Sequence, residues 1–271
     1  MKTMKRILTA AALALTVTSV TADPITEAVK SEHRSADAKA RDEYRNPQQT
    51  LRFFGIEPDM KVIEIWPGGG WYTDILADLL KDNGELVTAH FFVDDSTPDY
   101  YKNSLKKFNE RVESHPPYAG ITVTAFHPQN ALEVTERGTA DAVLTFRNVH
   151  NWYMNAGKEG VEASFKAFYN ALKPGGVLGV VEHEMPASGN DADMKKSGYM
   201  KRDFVIAAAE AAGFELEASS DINANPMDNA NHPKGVWTLP PSLALKEEDR
   251  AKYLAIGESN RMTLKFVKPE A

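Results

Sequence analysis

The residues best placed to do chemistry gather around one stretch, Val62-Ile63-Glu64-Ile65-Trp66-Pro67-Gly68-Gly69-Gly70-Trp71-Tyr72-Thr73. An apolar run carrying one acid, Glu64, gives way to a glycine cluster and then to a helix-compatible segment, Thr73 to Leu80. Glycines at 68 and 70 can adopt positive φ and let a ligand approach bare backbone. The helix that follows presents unpaired N–H groups toward the same point. Trp66 stands where a further glycine would be expected.

More candidates follow other apolar runs. His90 ends one, with Asp94 and Asp95 beyond it; His127, Gln129 and Asn130 follow another; Arg147, Asn148 and His150 a third; Glu182, His183 and Glu184 a fourth. Four of the seven histidines thus map to strand ends. A histidine there serves as a general base, or as a turn residue with its ring satisfied. His90, His127, His150 and His183 could also converge with an acid on a transition metal, but no short ligand spacing supports this and no metal is expected. Arg147 either faces a ligand or pairs with Glu182 across neighbouring strands.

These residues are positioned by alternating elements. Strands are expected over Lys61–Ile65, Glu85–His90, Ile121–Phe126, Ala140–Phe146, Val177–Val181, Phe214–Ala218 and Arg261–Val267. Helices are expected over Asp99–Glu113, Gly160–Leu172, where apolar residues recur every three or four positions, and Lys201–Ala212. This rhythm implies a mostly parallel α/β sheet, whose ligands sit at the carboxyl ends of the strands. Residues 23–50 read as a helical extension on a domain spanning 51–271. Before the last strand lies a long insertion, 221–260, whose Asn-, Pro- and Gly-rich first half, Asp221–Pro241, reads as a lid, a substrate wall or a surface loop.

The first 22 residues are set apart. A basic start with Lys2, Lys5 and Arg6, an apolar run from Ile7 to Val20, and small residues before Asp23 form the pattern of a signal peptide cleaved after Ala22. The run is shorter than the roughly 18–20 residues a spanning helix needs, so a periplasmic or secreted location without a stable membrane anchor is expected. The whole chain carries a net charge of −7. Without those three basic residues, 28 basic side chains face 38 acidic ones, which disfavours nucleic acid as a partner. The chain has no cysteine, excluding disulfides, thiol chemistry and a lipoprotein anchor.

Over roughly residues 45–271 the chain resembles the class I S-adenosylmethionine-dependent methyltransferases, and more closely the predicted secreted methyltransferases of bacteria. The likeness rests on Val62 to Thr73, on Ala142 to Trp152, on Ala171-Leu-Lys-Pro-Gly-Gly176 before an apolar strand, and on the last strand after a long excursion. It implies a Rossmann-like methyltransferase fold with a seven-stranded sheet, helices on both faces and an antiparallel last strand. It also implies S-adenosyl-L-methionine as cofactor and a small-molecule acceptor with an O or N nucleophile. By the same likeness, Gly68, Gly69 and Gly70 would approach the cofactor's amino-acid end, with Glu64 orienting the loop or meeting the ammonium. An acid would grip the ribose at the end of the second strand, where this chain has His90. Gln129 and Asn130 would bound the adenine. Arg147, Asn148 and His150 would line the methyl-transfer mouth, with His150, then His183, as the base. Trp66, Trp71, Tyr72, Trp152 and Tyr153 would form an aromatic wall for the sulfonium or pack as core.

Two further readings stay open. One is a binding protein that keeps this fold without the reaction. The other is a nicotinamide-dependent oxidoreductase, although the Gly-x-Gly-x-x-Gly fingerprint is incomplete after Gly70. P-loop, zinc-protease and serine-hydrolase signatures are absent.

Overall fold

Residues that alternate between two apolar environments must lie in a sheet covered on both faces, and the strands of this chain do so. In the computed structural model, which describes residues 23–270, Val62 packs on one side of the sheet and Ile63 and Ile65 on the other. The expected signal peptide and its cleavage point lie outside the described residues.

The described residues begin with short helices α1 (Pro24–Lys30), α2 (Ala36–Lys39) and α3 (Asp42–Arg45), followed by α4 (Pro47–Phe54). Asp23 caps α1 by accepting the Thr26 N–H at 2.8 Å. Left-handed Asn46 and then Pro47 break the path between α3 and α4. Helix α4 runs across residue 50, where the sequence placed the end of an extension. It belongs to the core: Leu51 and Phe54 are fully buried, and Phe54 lies so close over Gly179 that a Cβ there would meet its ring at 2.7 Å.

The alternating part follows: β1 (Lys61–Ile65), α5 (Thr73–Leu80), β2 (Glu85–Phe91), α6 (Asp99–Ser114), β3 (Thr122–Phe126), β4 (Ala140–Phe146), α7 (Val149–Ala171), β5 (Leu172–His183), α8 (Asp191–Ser197), α9 (Arg202–Ala211), β6 (Glu215–Ser220), α10 (Arg250–Ile256) and β7 (Arg261–Val267). The seven strands lie in the order β3-β2-β1-β4-β5-β7-β6, with β7 antiparallel to both neighbours and the other pairs parallel. The expected fold class is observed. One face is covered by α1, α4 and α5 through Ile25, Leu51, Ile75 and Leu76. The other is covered by α7 and α9 through Trp152, Phe165, Phe168 and Val205.

Helices α8 and α10 were not expected, and two expected elements differ in extent. Helix α7 starts eleven residues before Gly160, because Gly157, at φ 68° and ψ −162°, kinks it and divides its periodicity. Strand β5 starts at Leu172 and takes in Lys173-Pro174-Gly175-Gly176, which was expected only to stop a helix. Gly175, at φ 74°, supplies the irregularity there.

The insertion between β6 and β7 is pinned by its polar residues. Asn223 Nδ2 donates to Thr50 Oγ1 at 3.0 Å and Thr263 Oγ1 at 2.9 Å. Asp228, buried, accepts from Tyr199 Oη at 2.9 Å, from the Asn260 N–H at 2.7 Å and from the Ala230 N–H at 2.8 Å, and pairs with His232 at 2.8 Å. Removing this carboxylate would strand several buried donors, so Asp228→Ala is expected to cost about 2–4 kcal/mol in denaturant unfolding. A loss below about 0.5 kcal/mol would show that the insertion is not held this way.

Candidate active site

The turn after β1 is built by residues in unusual backbone conformations. Trp66 extends the ladder by one bond, its N–H donating to Ala89 O at 2.8 Å, then adopts φ +49°. That conformation is costly for a bulky residue. The indole offsets the cost: Nε1 donates to Phe126 O at 2.9 Å, and the ring packs against Phe91, Phe126 and Trp152 at 4.9–6.0 Å between centroids. Trp66 therefore reaches from the end of β1 to the end of β3, over the end of β2. Gly68 and Gly70 follow at φ +58° and +86°. A Cβ on Gly68 or Gly69 would meet nothing within 4 Å, whereas one on Gly70 would strike Tyr118 Oη at 2.6 Å. The first two glycines thus present open backbone, and the third is packed. Arg111 holds the loop from outside, donating to Gly69 O at 2.8 Å and pairing with Asp74.

Two titratable groups lie beneath the loop. His90 is buried; its Nδ1 accepts the Phe91 N–H at 2.7 Å, so Nε2 carries the proton and donates to Gly68 O at 3.3 Å. Burial pulls its pKa down to about 4, keeping the ring neutral. It props the loop from below, and the carboxylate next beyond the end of β2, Asp94, lines a separate hollow with Phe91 and Phe92. Glu64 is buried on the α5 side and accepts from Thr73 Oγ1 at 2.6 Å. Burial raises its pKa to about 8, against the lowering effect of the Thr73 bond.

The corner between β4 and α7 is equally constrained. Arg147 adopts φ +63° while its N–H donates to Val181 O at 2.7 Å. Asn148 Nδ2 donates to Ile65 O at 2.9 Å, fastening this corner to the end of β1. His150 Nδ1 lies 2.9 Å from Glu182 Oε1, and Glu182 also accepts the backbone N–H groups of His150 and His183 at 3.2 and 2.7 Å. With Nδ1–H donated to the carboxylate, His150 Nε2 is left as a proton acceptor. His183 Nδ1 bonds Ser259 Oγ at 2.5 Å, and the two imidazoles stand 5.1 Å apart. Burial first, with the neighbouring His150 and arginines adding to it, holds the His183 pKa well below the usual imidazole range. Of the two readings of Arg147, the pair with Glu182 does not form, because Glu182 is committed to His150. His150, Glu182 and His183 offer ligand atoms within 4.8 Å of one another and are the group among the described residues that could hold a metal. Three N–H bonds to the carboxylate make it better suited to orienting the rings.

A cavity of about 650 Å³ joins these parts. Glu64, Trp66, Gly68, Gly69, Arg147, Asn148, His150 and His183 all line it. Its outer walls are α2 and α3, through Ala38, Arg41 and Arg45, and the insertion, through Val236, Trp237 and Pro240–Ser242. Gln129, Asn130 and His127 line a separate hollow of about 280 Å³ with Asp94. Trp66 and Phe91 border both spaces and stand between them. Trp152 is core, Tyr153 packs on Phe204, and only Trp66, Trp71 and Tyr72 of the expected aromatics line the main cavity. Sequence reading missed Arg45, Glu258, Arg261 and Trp237; the one cue was the i, i+3 pair Glu258 and Arg261 before an apolar strand.

S-adenosylmethionine, the group this fold implies, meets two different receptions. The open backbone at Gly68 and Gly69, with Glu64 below it, suits the amino-acid end. The end of β2, where the resemblance implies an acid for the ribose, presents the rings of Trp66 and Phe91. Glu64 itself makes a test of burial. Its neutral form is the folded form, so its contribution to stability is complete below the ordinary carboxylate range and is lost as pH rises through about 8. Glu64→Gln should raise stability at pH 8 by about 4 kcal/mol and leave it unchanged near pH 4; equal effects of the substitution at both pH values would refute the buried, neutral carboxyl.

No known family model matches the chain, and no curated protein matches it by sequence. Solved structures do match. The cyclase SpnF superposes with a TM-score of 0.59 at 13% identity, covering 92% of each chain. A SAM-dependent methyltransferase from Aquifex aeolicus gives 0.53 at 14% identity, over 92% of this chain and all of the other. Geranyl diphosphate C-methyltransferase from Streptomyces coelicolor A3(2), solved with Mg2+, geranyl-S-thiolodiphosphate and S-adenosyl-L-homocysteine, gives 0.55 at 12% identity over 89% and 84%. At these identities the likeness is one of architecture: this chain has the seven-stranded fold of S-adenosylmethionine-dependent methyltransferases.

Proposed function

We propose that the protein is an S-adenosylmethionine-dependent methyltransferase acting on an O or N nucleophile of a small molecule. The observation that carries this reading is the union, in one cavity, of open glycine backbone with a histidine oriented by a buried carboxylate. The cofactor, when bound, supplies a methyl group already activated by its sulfonium. The protein's tasks are alignment and proton removal. Gly68 and Gly69 would receive the amino-acid end, and Glu64 would hold the ammonium. His150 Nε2 would accept the acceptor's proton, the resulting imidazolium being stabilised by Glu182. His183 is not assigned this role, because burial and its cationic neighbours oppose its protonation. Two of the similar structures are methyltransferases, which supports the reading. Export to the periplasm or beyond, after cleavage behind Ala22, is part of the proposal and rests on the sequence of residues 1–22.

A specific observation favours a second reading. The Trp66 indole closes the end of β2, over which a cofactor reaching from the glycine loop to Gln129 and Asn130 would pass. A binding protein that keeps the fold without the reaction would have this form.

Calorimetry separates the two. Under the first reading S-adenosylhomocysteine binds the purified protein and, at pH 7, displaces a proton from Glu64. Affinity then rises with pH and levels off above about 8. Absence of binding in the parent protein, with binding appearing in Trp66→Gly, would instead identify the indole as a plug and support the second reading. In a screen of small-molecule extracts with a labelled methyl donor, His150→Ala is expected to lower transfer by about 100-fold or more without weakening S-adenosylhomocysteine binding. Undiminished transfer would remove His150 from the reaction.

A further inference from the structure

Four guanidinium groups and one carboxylate meet where α3, the corner after β4 and the start of β7 converge on the main cavity. Arg41, Arg45, Arg147 and Arg261 all line it. The carboxylate is Glu258, buried, which accepts from Arg41 Nε at 2.6 Å and Arg45 Nε at 3.1 Å and pairs with Arg261. Burial raises the Glu258 pKa, but the guanidiniums of Arg261, Arg45, Arg147 and Arg41 outweigh it and hold the value at about 2. One full negative charge thus opposes four positive ones.

The excess is concentrated on Arg147. Its side chain makes no hydrogen bond and no ion pair among the described residues, although it lies between the cavity and a small void floored by Tyr72 and Phe146. Burial, reinforced by Arg261, lowers its pKa to about 10, which still leaves it charged at neutral pH. Arg45 Nη1 and Arg261 Nε are buried without an acceptor. Other acids near the cavity do not balance the set. Glu64 is neutral below about pH 8, Asp74 is taken by Arg111 and Tyr118, Glu182 by His150, and Asp37 is exposed. Elsewhere the protein pairs such arginines with carboxylates: buried Arg34 forks onto Asp42 at 2.9 and 2.6 Å, and half-buried Arg202 onto Glu184 at 2.7 and 2.9 Å. Enclosed charge without a counter-charge is costly, and a cavity wall is where a ligand can supply one.

The cluster is also held rigid. Arg45 lies over the Trp71 ring at 4.5 Å, Arg261 donates to Tyr44 O at 3.1 Å, and Tyr72 stacks on Phe146 at 3.5 Å with 7° between planes. Fixed, planar, multi-donor groups of this kind match the oxygens of a carboxylate or phosphate.

We propose that Arg45, Arg147 and Arg261 form an oxyanion subsite, and that the small-molecule acceptor carries a carboxylate or phosphate that docks there while its nucleophile faces His150. The identification of the ligand as an acceptor rests on the methyltransferase reading; the anion site itself does not.

The test is calorimetric titration of the purified protein with inorganic phosphate and with acetate, at ionic strength matched by sodium chloride, and separately with S-adenosylhomocysteine. Phosphate or acetate should bind one site per chain, and Arg147→Gln should weaken that binding about tenfold or more, with Arg147→Lys retaining part of it. S-adenosylhomocysteine affinity should be unchanged in Arg147→Gln and by saturating anion. Absence of anion binding to the parent protein overturns the proposal, and this measurement needs no variant to fold. Competition between anion and S-adenosylhomocysteine also overturns it, since the cluster would then hold the cofactor's own carboxylate. Anion binding without any S-adenosylhomocysteine binding would uphold the subsite while the methyltransferase reading fails.

Discussion

The carboxyl edge of the sheet depends on the turn that Trp66 makes. A tryptophan at φ +49° persists only where its surroundings over-determine it, and here they do. Its indole N–H is satisfied by the Phe126 carbonyl, and its ring is wedged among Phe91, Phe126 and Trp152. This sends the following backbone outward as open glycine, sets His90 beneath it as a neutral prop and divides the space above the strands into two hollows. A glycine at this position would leave the ends of β1 and β3 unlinked by a side chain and would merge those hollows. The same residue thus shapes the loop and limits what can lie along it.

Electrostatics divide the main cavity into ends of different character. The loop end is nearly neutral, because burial keeps both His90 and Glu64 uncharged near pH 7. The opposite end is cationic, with Glu258 shared among several arginines and Arg147 left over. Between them stand His150 and His183, whose backbone N–H groups and ring geometry converge on Glu182. A chain that is acidic as a whole therefore encloses a basic pocket, which neither net charge nor composition reveals.

The fold was legible because the signals that specify it are local. Apolar runs such as Val62–Ile65 and Ala142–Phe146, and the periodicity of Val161, Phe165 and Phe168, each act within a few residues. Legibility failed where glycine served a tertiary purpose: Gly157 kinks α7 instead of preceding it, and Gly175 sits in an irregular strand instead of a loop. The asparagines of the insertion looked like loop markers, yet Asn223 and Asn225 fasten it to Thr50, Thr263 and the Glu258 carbonyl.

By itself the sequence determined the order of strands and helices, the glycine loop behind Glu64, and the placing of His150 and His183 at the ends of neighbouring strands. Only the tertiary structure decided which of these residues face one another. It joined His150 to Glu182, withdrew His90 under the loop, set Gln129 and Asn130 in a different hollow, and assembled Arg45, Arg147 and Arg261 from segments more than a hundred residues apart. The reason is physical: secondary structure follows from interactions a few residues in range, whereas hydrogen-bond partners, burial and the pKa values they set depend on packing across the whole sheet edge.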